Sequence, residues 1–324
     1  MRHFFLSLTQ KFLPLSNPFP LGIAAMLATT VIWASWILSS KMALSLDLTA
    51  SDLAFMRYGV PSLVFLYFSF KSRAVIFATP AKTIILICAG AGLPFFFLAT
   101  WGMQYAPAAD AGILIPGSFP LFVTLISSFK NRKAPSSAQS FGVALITLGV
   151  VVLMAPKLSG PDGMQLLIGH LLYLLASFAW SIFTVALRDS DIPPLAASGL
   201  FCSSSTIVLL ALLAFGMGDV QVDRLINSEH SQAIIHIIVV QGFLVGTLAS
   251  FLFSYAVKVI GTRLSSVIGS LAPALVVLFS GLLLGESIDA AAITAVILVL
   301  AGVLVSTLQG ISMPSLHTYS PQQR

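Results

Sequence analysis

WGMQYAPAADAGILIPGSFPLFVTLISSFKNRKAPSSAQSFGVALITLGVVVLM, running from Trp101 to Met154, alternates long apolar stretches with short breaks. An almost uncharged run ends at Gln104 and Tyr105, and an Ala-Pro turn follows. A second run carries Pro116 and Pro120 up to a basic loop with Lys130, Arg132 and Lys133. A third is built on Gly142 and Gly149. The same layout returns in SYAVKVIGTRLSSVIGSLAPALVVLFSGLLLGESIDAAAITAVILVLAGVLVS, residues 254–306. Pro273 stands 153 residues after Pro120, and Gly302 stands 153 residues after Gly149. One constant offset across two landmarks, with matching apolar runs between them, indicates a duplicated five-helix unit. Internal symmetry of this kind is a signature of carriers.

Only 8% of the residues are charged and 57% are hydrophobic, where soluble domains carry about 25% charged residues. Mean hydropathy is +0.99. Such a chain cannot cover a water-facing surface, so it reads as an all-α polytopic membrane protein in contact with a lipid bilayer. The net charge of +5 then reports orientation, and no nucleic-acid partner is expected. Cys88 and Cys202 both fall inside apolar runs and do not make a disulfide framework.

A spanning helix needs about 20 mainly apolar residues. Ten runs qualify: 21–44, 53–70, 82–103, 108–129, 139–155, 166–187, 195–217, 232–257, 263–284 and 289–309. The fifth is short and is expected to stand upright or in a thinned bilayer. The first twenty residues are broken by prolines and read as a cytoplasmic lead-in rather than a secretory signal. The expected division is therefore a lead-in at 1–19, a first repeat at 20–155, a second at 156–310 and a disordered cytoplasmic tail at 311–324.

Loop charges set the orientation. With the N-terminus in the cytoplasm, twelve cations lie inside: Arg2, Lys11, Lys71, Arg73, Lys82, Lys130, Arg132, Lys133, Arg188, Lys258, Arg263 and Arg324. Three lie outside: Lys41, Lys157 and Arg224, with Arg57 left within the second span. Both termini are then cytoplasmic. Five spans per half is an odd number, so the halves enter the membrane upside down relative to each other. Asp110, outside, aligns with Arg263, inside, at the same offset of 153.

Trp33 and Trp36 sit mid-span in the first helix, three residues apart and hence on one face. Trp180 takes a comparable place in the sixth. These rings lie too deep for the interfacial aromatic belt and read either as a cavity wall that stacks on an organic substrate or as helix packing. Trp101, Gln104 and Tyr105 recur as Tyr255, Lys258 and Val259 at an offset one residue longer, and read as substrate contacts or interface anchors. Arg57 costs about 2.5–3.5 kcal/mol at membrane depth. It is expected either to snorkel and pair with Asp47 or Asp52, or to serve as a cavity cation for a substrate carboxylate. Lys41, Asp110, His170 and Lys258 are candidates for gating or coupling. The bland reading of Asp110, just after Pro107, is a first-turn or capping acid. Pro94, Pro116, Pro120 and Pro273 lie within spans as kinks or hinges. His170, Tyr173 and Ser177 form a polar stripe on the sixth helix.

The duplicated ten-span layout, the segments WGMQYAPAADAGIL and SYAVKVIGTRLSSVIGSLAPAL, and LLLGE at Leu282–Glu286 resemble the EamA family of the drug/metabolite transporter superfamily. TVIWASWILSSKMAL in the first span and ASFAWSIFTVALR in the sixth share the likeness, which covers about residues 20–310. The resemblance implies ten transmembrane helices as two inverted five-helix repeats around a central cavity. It further implies a bacterial inner-membrane carrier that exports amino acids or other small metabolites, with proton coupling and a homodimer left open. The first half departs from the family pattern: Lys130–Lys133 stands where Gly-Glu is usual.

No HExxH, GxxxxGK[ST], GxSxG, Cys/His metal spacing or paired carboxylates within one span occur. No metal, cofactor or enzymatic activity is expected. A secondary transporter of a small, largely neutral or zwitterionic solute fits best. A membrane enzyme, a non-transporting receptor or assembly subunit, and a drug or lipid carrier are the competing readings.

Overall fold

The computed structural model describes residues 18–158, 160–217, 220 and 231–308. The lead-in up to residue 17, Arg224 and the tail from residue 309 lie outside the described residues, as does the side chain of Arg263. The chain forms α1 (Phe19–Ser45), α2 (Ala50–Lys71), α3 (Arg73–Ala78), α4 (Ala81–Ala91), α5 (Leu93–Tyr105), α6 (Ala108–Asn131) and α7 (Ser137–Leu158). It continues with α8 (Gly163–Arg188), α9 (Pro194–Ala214), α10 (Ser231–Ile238), a π-helical segment (Val239–Leu248), α11 (Ala249–Gly269), α12 (Ala272–Leu284) and α13 (Ala290–Leu308). Ten stretches are long and apolar enough to cross a membrane, the third made of α4 and α5 and the eighth running through the π segment. In lipid every backbone polar group must find its partner within the protein, which is why apolar runs of this length become helices.

Short connections force neighbouring spans antiparallel. Ser45, Tyr105, Ala108, Leu158, Gly163 and Leu284 therefore gather at one end of the bundle, here the Asp110 end. Lys71, Asn131, Arg188 and Pro194 gather at the other, the Lys130 end. Large apolar side chains such as Leu63, Phe129 and Ile207 remain exposed on the outer faces of their helices, the pattern of a lipid-facing surface.

The repeat is visible in the packing. Replacing each span by its counterpart five later leaves the map of neighbours nearly unchanged. α7 packs on α13, α2 on α9 and α6 on α12, each pair being self-related. The third span packs on α8 as the eighth packs on α1, and α6 meets α8 as α12 meets α1. The offset of 153 also relates two observed contacts. Gly142 and Gly302 face each other so closely that a Cβ on Gly142 would lie 2.5 Å from Gly302 O, and one on Gly302 2.6 Å from Gly142 O. Shifting both partners by one repeat turns this pair into Ala295 and Gly149, and a Cβ on Gly149 would lie 3.1 Å from Ala295 O. The same crossing of α7 and α13 is thus made twice, related by the repeat. Two copies of an odd-span unit that pack in this way are inverted five-helix repeats.

Three expectations need correction. The fifth span is not short: α7 has 22 residues and continues through Pro156 to Leu158, because Lys157 is drawn on to a buried partner. The third span is not one helix but breaks at Gly92, whose φ of −94° and ψ of −148° are not helical. A side chain there would collide with Cys88 O and Ser205 Oγ. Pro94 and Pro273 are accordingly not interior kinks: each occupies the first turn of a helix, α5 and α12, where a missing N–H costs nothing.

Candidate functional site

At the Asp110 end, three elements converge on the Ala106-Pro107 turn between α5 and α6. Lys41 Nζ, from α1, donates to Met103 O at 2.5 Å and Ala106 O at 3.1 Å, a cation set on the carbonyl end of a helix. Tyr173 Oη, from α8, donates to Ala106 O and Pro107 O at 3.1 and 3.2 Å. Glu286 closes the cluster from the second repeat. Its carboxylate accepts from Ala108 N at 2.7 Å and Ala109 N at 2.9 Å, capping α6 where Pro107 offers no side-chain cap. Gly285, at φ +66°, ends α12 in the left-handed region that favours glycine and turns the chain toward α6. Lys41, Gln104, Tyr105 and Glu286 line a cavity of ≈ 330 Å³ here.

Behind this turn lies a buried ion cluster. Asp110, in the first turn of α6, has 1% of its side chain exposed and His170 has none. Lys157 Nζ donates to Asp110 Oδ1 at 2.7 Å and Oδ2 at 2.8 Å. His170 Nε2 lies 2.7 Å from Asp110 Oδ2, and Asp289 Oδ2 stands 3.8 Å from Lys157. Taking such charges out of water is tolerated only with close, geometrically good partners, and Asp110 has two. His170 ties α6, in the first repeat, to α8 in the second, and Lys157, on α7 of the first repeat, reaches Asp289 in the α12–α13 loop of the second.

Deeper in the bundle an aromatic chain crosses from one repeat to the other. Trp36 meets Phe95 at 5.6 Å between ring centroids, Phe95 meets Trp180 at 4.9 Å, and Trp180 meets Phe183 at 5.0 Å. Trp36 Nε1 is buried with no hydrogen-bond partner. Beside this chain the third span is broken, and the freed backbone groups are satisfied by neighbouring helices. Tyr58 Oη donates to Ala91 O at 2.9 Å and Gly92 O at 3.1 Å, and Leu93 N donates to Ser205 Oγ at 3.2 Å. The π segment is anchored to α1 by Gln241 Nε2, which donates to Ser40 Oγ at 2.8 Å and Ser39 Oγ at 3.0 Å. Broken spans and π turns at mid-depth are common where transport proteins bind their cargo.

The Lys130 end is wetter. Lys130 Nζ bonds Asp189 Oδ2 at 2.6 Å, and Arg188 Nε bonds Asp189 Oδ1 at 2.8 Å, with more than a quarter of each side chain exposed. Arg188 and Lys130 hold the Asp189 carboxyl below its ordinary carboxylate range. A cavity of ≈ 520 Å³ opens between α3, the start of α4 and Asp189.

A model of the EamA-like transporter family matches twice, over residues 20–155 and 167–308. The chain belongs to the EamA-like transporter family. It is accordingly a multi-pass membrane protein of a transporter family. "Uncharacterized transporter YoaV" of Bacillus subtilis (strain 168) is 24% identical over 161 residues, 49% of this chain and 54% of the relative. The match thus spans about half the length of that curated protein. A solved structure described only as "Crystal structure of protein" aligns with a TM-score of 0.61 at 18% identity, covering 91% of this chain and 98% of the other. That likeness is one of fold.

In this EamA-like chain the candidate residues divide among three levels. Lys41, Gln104, Tyr105, Asp110 and His170 gather at the Asp110 end. Trp36 and Trp180 meet at mid-depth through Phe95. Trp33, although it shares a helix face with Trp36, instead packs on Phe253 at 5.3 Å. Tyr255 packs near Ala25 and Met26, and Lys258 is exposed. Trp101 is 46% exposed and stacks on Phe97 at 5.2 Å.

Among the described residues the snorkelling pair expected for Arg57, with Asp47 or Asp52, does not form. Asp52 lies five residues away on a different face of α2, and its carboxylate accepts from Thr49 N in a capping box. Sequence reading missed Glu286 and Lys157 as partners of the first repeat. The signals were present: an acid directly after the helix-ending Gly285, and a cation directly after Pro156 at the end of an apolar run.

Proposed function

We propose that this EamA-like transporter exports a small organic solute of amino-acid type across the bacterial inner membrane by alternating access, with both termini cytoplasmic. Residues 20–155 and 156–310 are the two bodies that rock against each other. The observation that carries this reading is the cross-repeat cluster at the Asp110 end. Every contact in it that joins the two repeats breaks when they separate there, and the buried Asp110–His170 contact re-forms in a defined geometry when they close. With the N-terminus inside, this latch seals the periplasmic face and the protein faces the cytoplasm. The exposed Lys130–Asp189–Arg188 group at the opposite face is the kind of contact that opens at little cost. The aromatic chain of Trp36, Phe95 and Trp180 lies between the two ends and forms part of the wall past which the solute moves.

A metabolite-efflux screen tests the proposal, comparing cells with and without the gene and repeating the comparison with a proton uncoupler. Gene-dependent release of one or a few small metabolites is expected. Loss of that release with uncoupler assigns proton coupling. Identical extracellular metabolites in both strains, with the protein present in the membrane, overturn the reading.

A further inference from the structure

Among the described residues Arg57 has no counter-ion, and its Nε is buried without a hydrogen-bond partner. It stands seven residues inside α2, about 10 Å along the helix from Ala50 at the membrane face. Unlike a lysine it cannot shed its proton to escape the low-dielectric interior. The titratable groups that act on it electrostatically are Tyr58 and Cys202, both neutral at physiological pH in their free forms. The residue as a whole is half-buried, and an ionisable group at such depth without a paired anion marks by default a ligand or ion pathway.

The surroundings are built around this point. The next residue, Tyr58, uses its hydroxyl to bridge the break in the third span. The π segment approaches the Arg57 backbone so closely that a Cβ on Gly246 would lie 3.0 Å from Arg57 O. The same segment carries Gln241 Oε1, a buried acceptor with no partner. An unpaired cation and an unpaired acceptor thus sit on two elements packed together.

We propose that Arg57 holds the carboxylate of the transported solute, which makes the substrate class monocarboxylates, zwitterionic or singly anionic. This rests on the transport reading above. A planar guanidinium matches a carboxylate with two parallel hydrogen bonds. One cation without a second beside it suits one negative charge, which disfavours phosphates and dicarboxylates. A lipid headgroup is the other source of an anion, and the depth of Arg57 within α2 sets it apart from the headgroup level.

The test uses the full-length protein reconstituted into phosphatidylcholine vesicles. The vesicles are loaded with an equimolar mixture of amino acids, 2-hydroxy acids and the carboxamides of both, and released solutes are followed by mass spectrometry. Carboxylates should leave and the matching amides should not. Arg57→Gln should reduce carboxylate release by about 30-fold or more, as expected when one partner of a buried charge pair is removed. Arg57→Lys should keep the preference for carboxylates with weaker apparent affinity. Repeating the assay with a fifth of the lipid replaced by phosphatidylglycerol should leave the preference unchanged.

Equal release of amides and carboxylates by the native protein overturns the assignment without any variant. So does a folded Arg57→Gln protein that transports carboxylates normally. Loss of the preference in anionic vesicles assigns Arg57 to a headgroup instead and overturns it as well. If the native protein releases nothing, the transport reading itself falls, and the Arg57 assignment with it.

Discussion

His170 Nε2 lies 2.7 Å from Asp110 Oδ2, with both side chains essentially inaccessible. The two residues belong to different repeats and are 60 positions apart in sequence. Their contact, with Lys157 on the second oxygen of the same carboxylate, makes Asp110 the point where the first repeat is held to the second.

Removing that charge should loosen the latch. Asp110→Asn leaves Lys157 and His170 facing a neutral amide, and breaking a buried pair from one side costs about 3–5 kcal/mol. The His170 share of that cost falls on the closed state alone, since Lys157 belongs to the same repeat as Asp110. Ser177, buried a further two turns along α8, reports on the opening. A Ser177→Cys probe, in a background without Cys88 and Cys202, should react with a membrane-impermeant maleimide at least about tenfold faster when Asp110→Asn is added. Unchanged labelling in folded protein would mean that Asp110 does not hold this end shut.

How much of this was legible beforehand follows from the range of each interaction. The ten spans and the repeat were readable because hydrophobicity and a constant offset are properties of the chain itself. Gly142, Gly149 and Gly302 could be aligned by position, although nothing in the sequence said that they touch. Arg57 announced itself as costly, but its lack of a partner is a fact of three dimensions. Asp47 and Asp52 were the candidates, and the carboxylate of Asp52 serves a capping box instead. Glu286 and Lys157 could be seen as helix-end charges, but their partners could not be named for the same reason. Each meets its partner in another span, and loop charge reads as topology until the helices are packed. The break in the third span was written only as Gly92 and Pro94, a pair equally consistent with a continuous kinked helix.

The crossing of α7 and α13 should rank three glycine substitutions. A methyl at Gly142 or Gly302 is driven into a facing backbone carbonyl at 2.5 or 2.6 Å, so the helices must move apart. At Gly149 the nearest atoms are 3.1 Å away and two of the three are side-chain carbons. Gly142→Ala and Gly302→Ala should each cost about 1–3 kcal/mol, and Gly149→Ala clearly less. Thermal unfolding of the purified proteins in detergent checks the order. A Gly149→Ala protein as unstable as Gly142→Ala would refute the account of this interface.

Trp180 and Trp36 are joined through Phe95, whereas Trp33 is not. Trp180→Ala should lower transport while leaving the amount of folded protein unchanged. Combined with Phe95→Ala, its effect should be less than additive by about 0.5–1.5 kcal/mol, the coupling expected of an aromatic pair. Trp33→Ala should also lower transport but combine additively with Phe95→Ala. Flux in reconstituted vesicles measures all five proteins. Full transport by Trp180→Ala would remove the aromatic chain from the pathway.

Asp189 provides a pH dependence with a definite sign. Its folded pKa lies below the ordinary value of 3.8 because Arg188 and Lys130 bond to the ionised carboxylate. The stabilisation is therefore complete above that ordinary value and is lost as pH falls through the depressed one. Between pH 5 and 8 the difference in unfolding temperature between native protein and Asp189→Asn should be constant. It should correspond to less than about 1 kcal/mol, since the group is partly solvated. Below pH 4 the difference should shrink toward zero. A difference that grows on acidification would contradict the pairing.

Tyr58 tests whether the broken third span is held by its neighbours. α4 ends at Ala91, and its last carbonyls have no further helical turn to serve them. In water such groups would be solvated, but at mid-membrane they need a donor from the protein. One hydroxyl serves both Ala91 O and Gly92 O. Tyr58→Phe keeps the ring and its edge-on contacts with Phe96 and Phe201, so packing is preserved while the donor is lost. Gly92 O keeps its bond from Phe96 N at 3.1 Å, but Ala91 O is left without this donor, which should lower stability by about 1–3 kcal/mol. Ser205→Ala removes the complementary acceptor for Leu93 N, which joins the break from the α5 side, and should cost a similar amount. Because the two bonds hold opposite sides of one joint, the double variant should lose less than the sum. Thermal melts of the four proteins decide it. Strict additivity would mean that the two ends of the break are held independently, and that the joint is not the single mechanical element its geometry suggests.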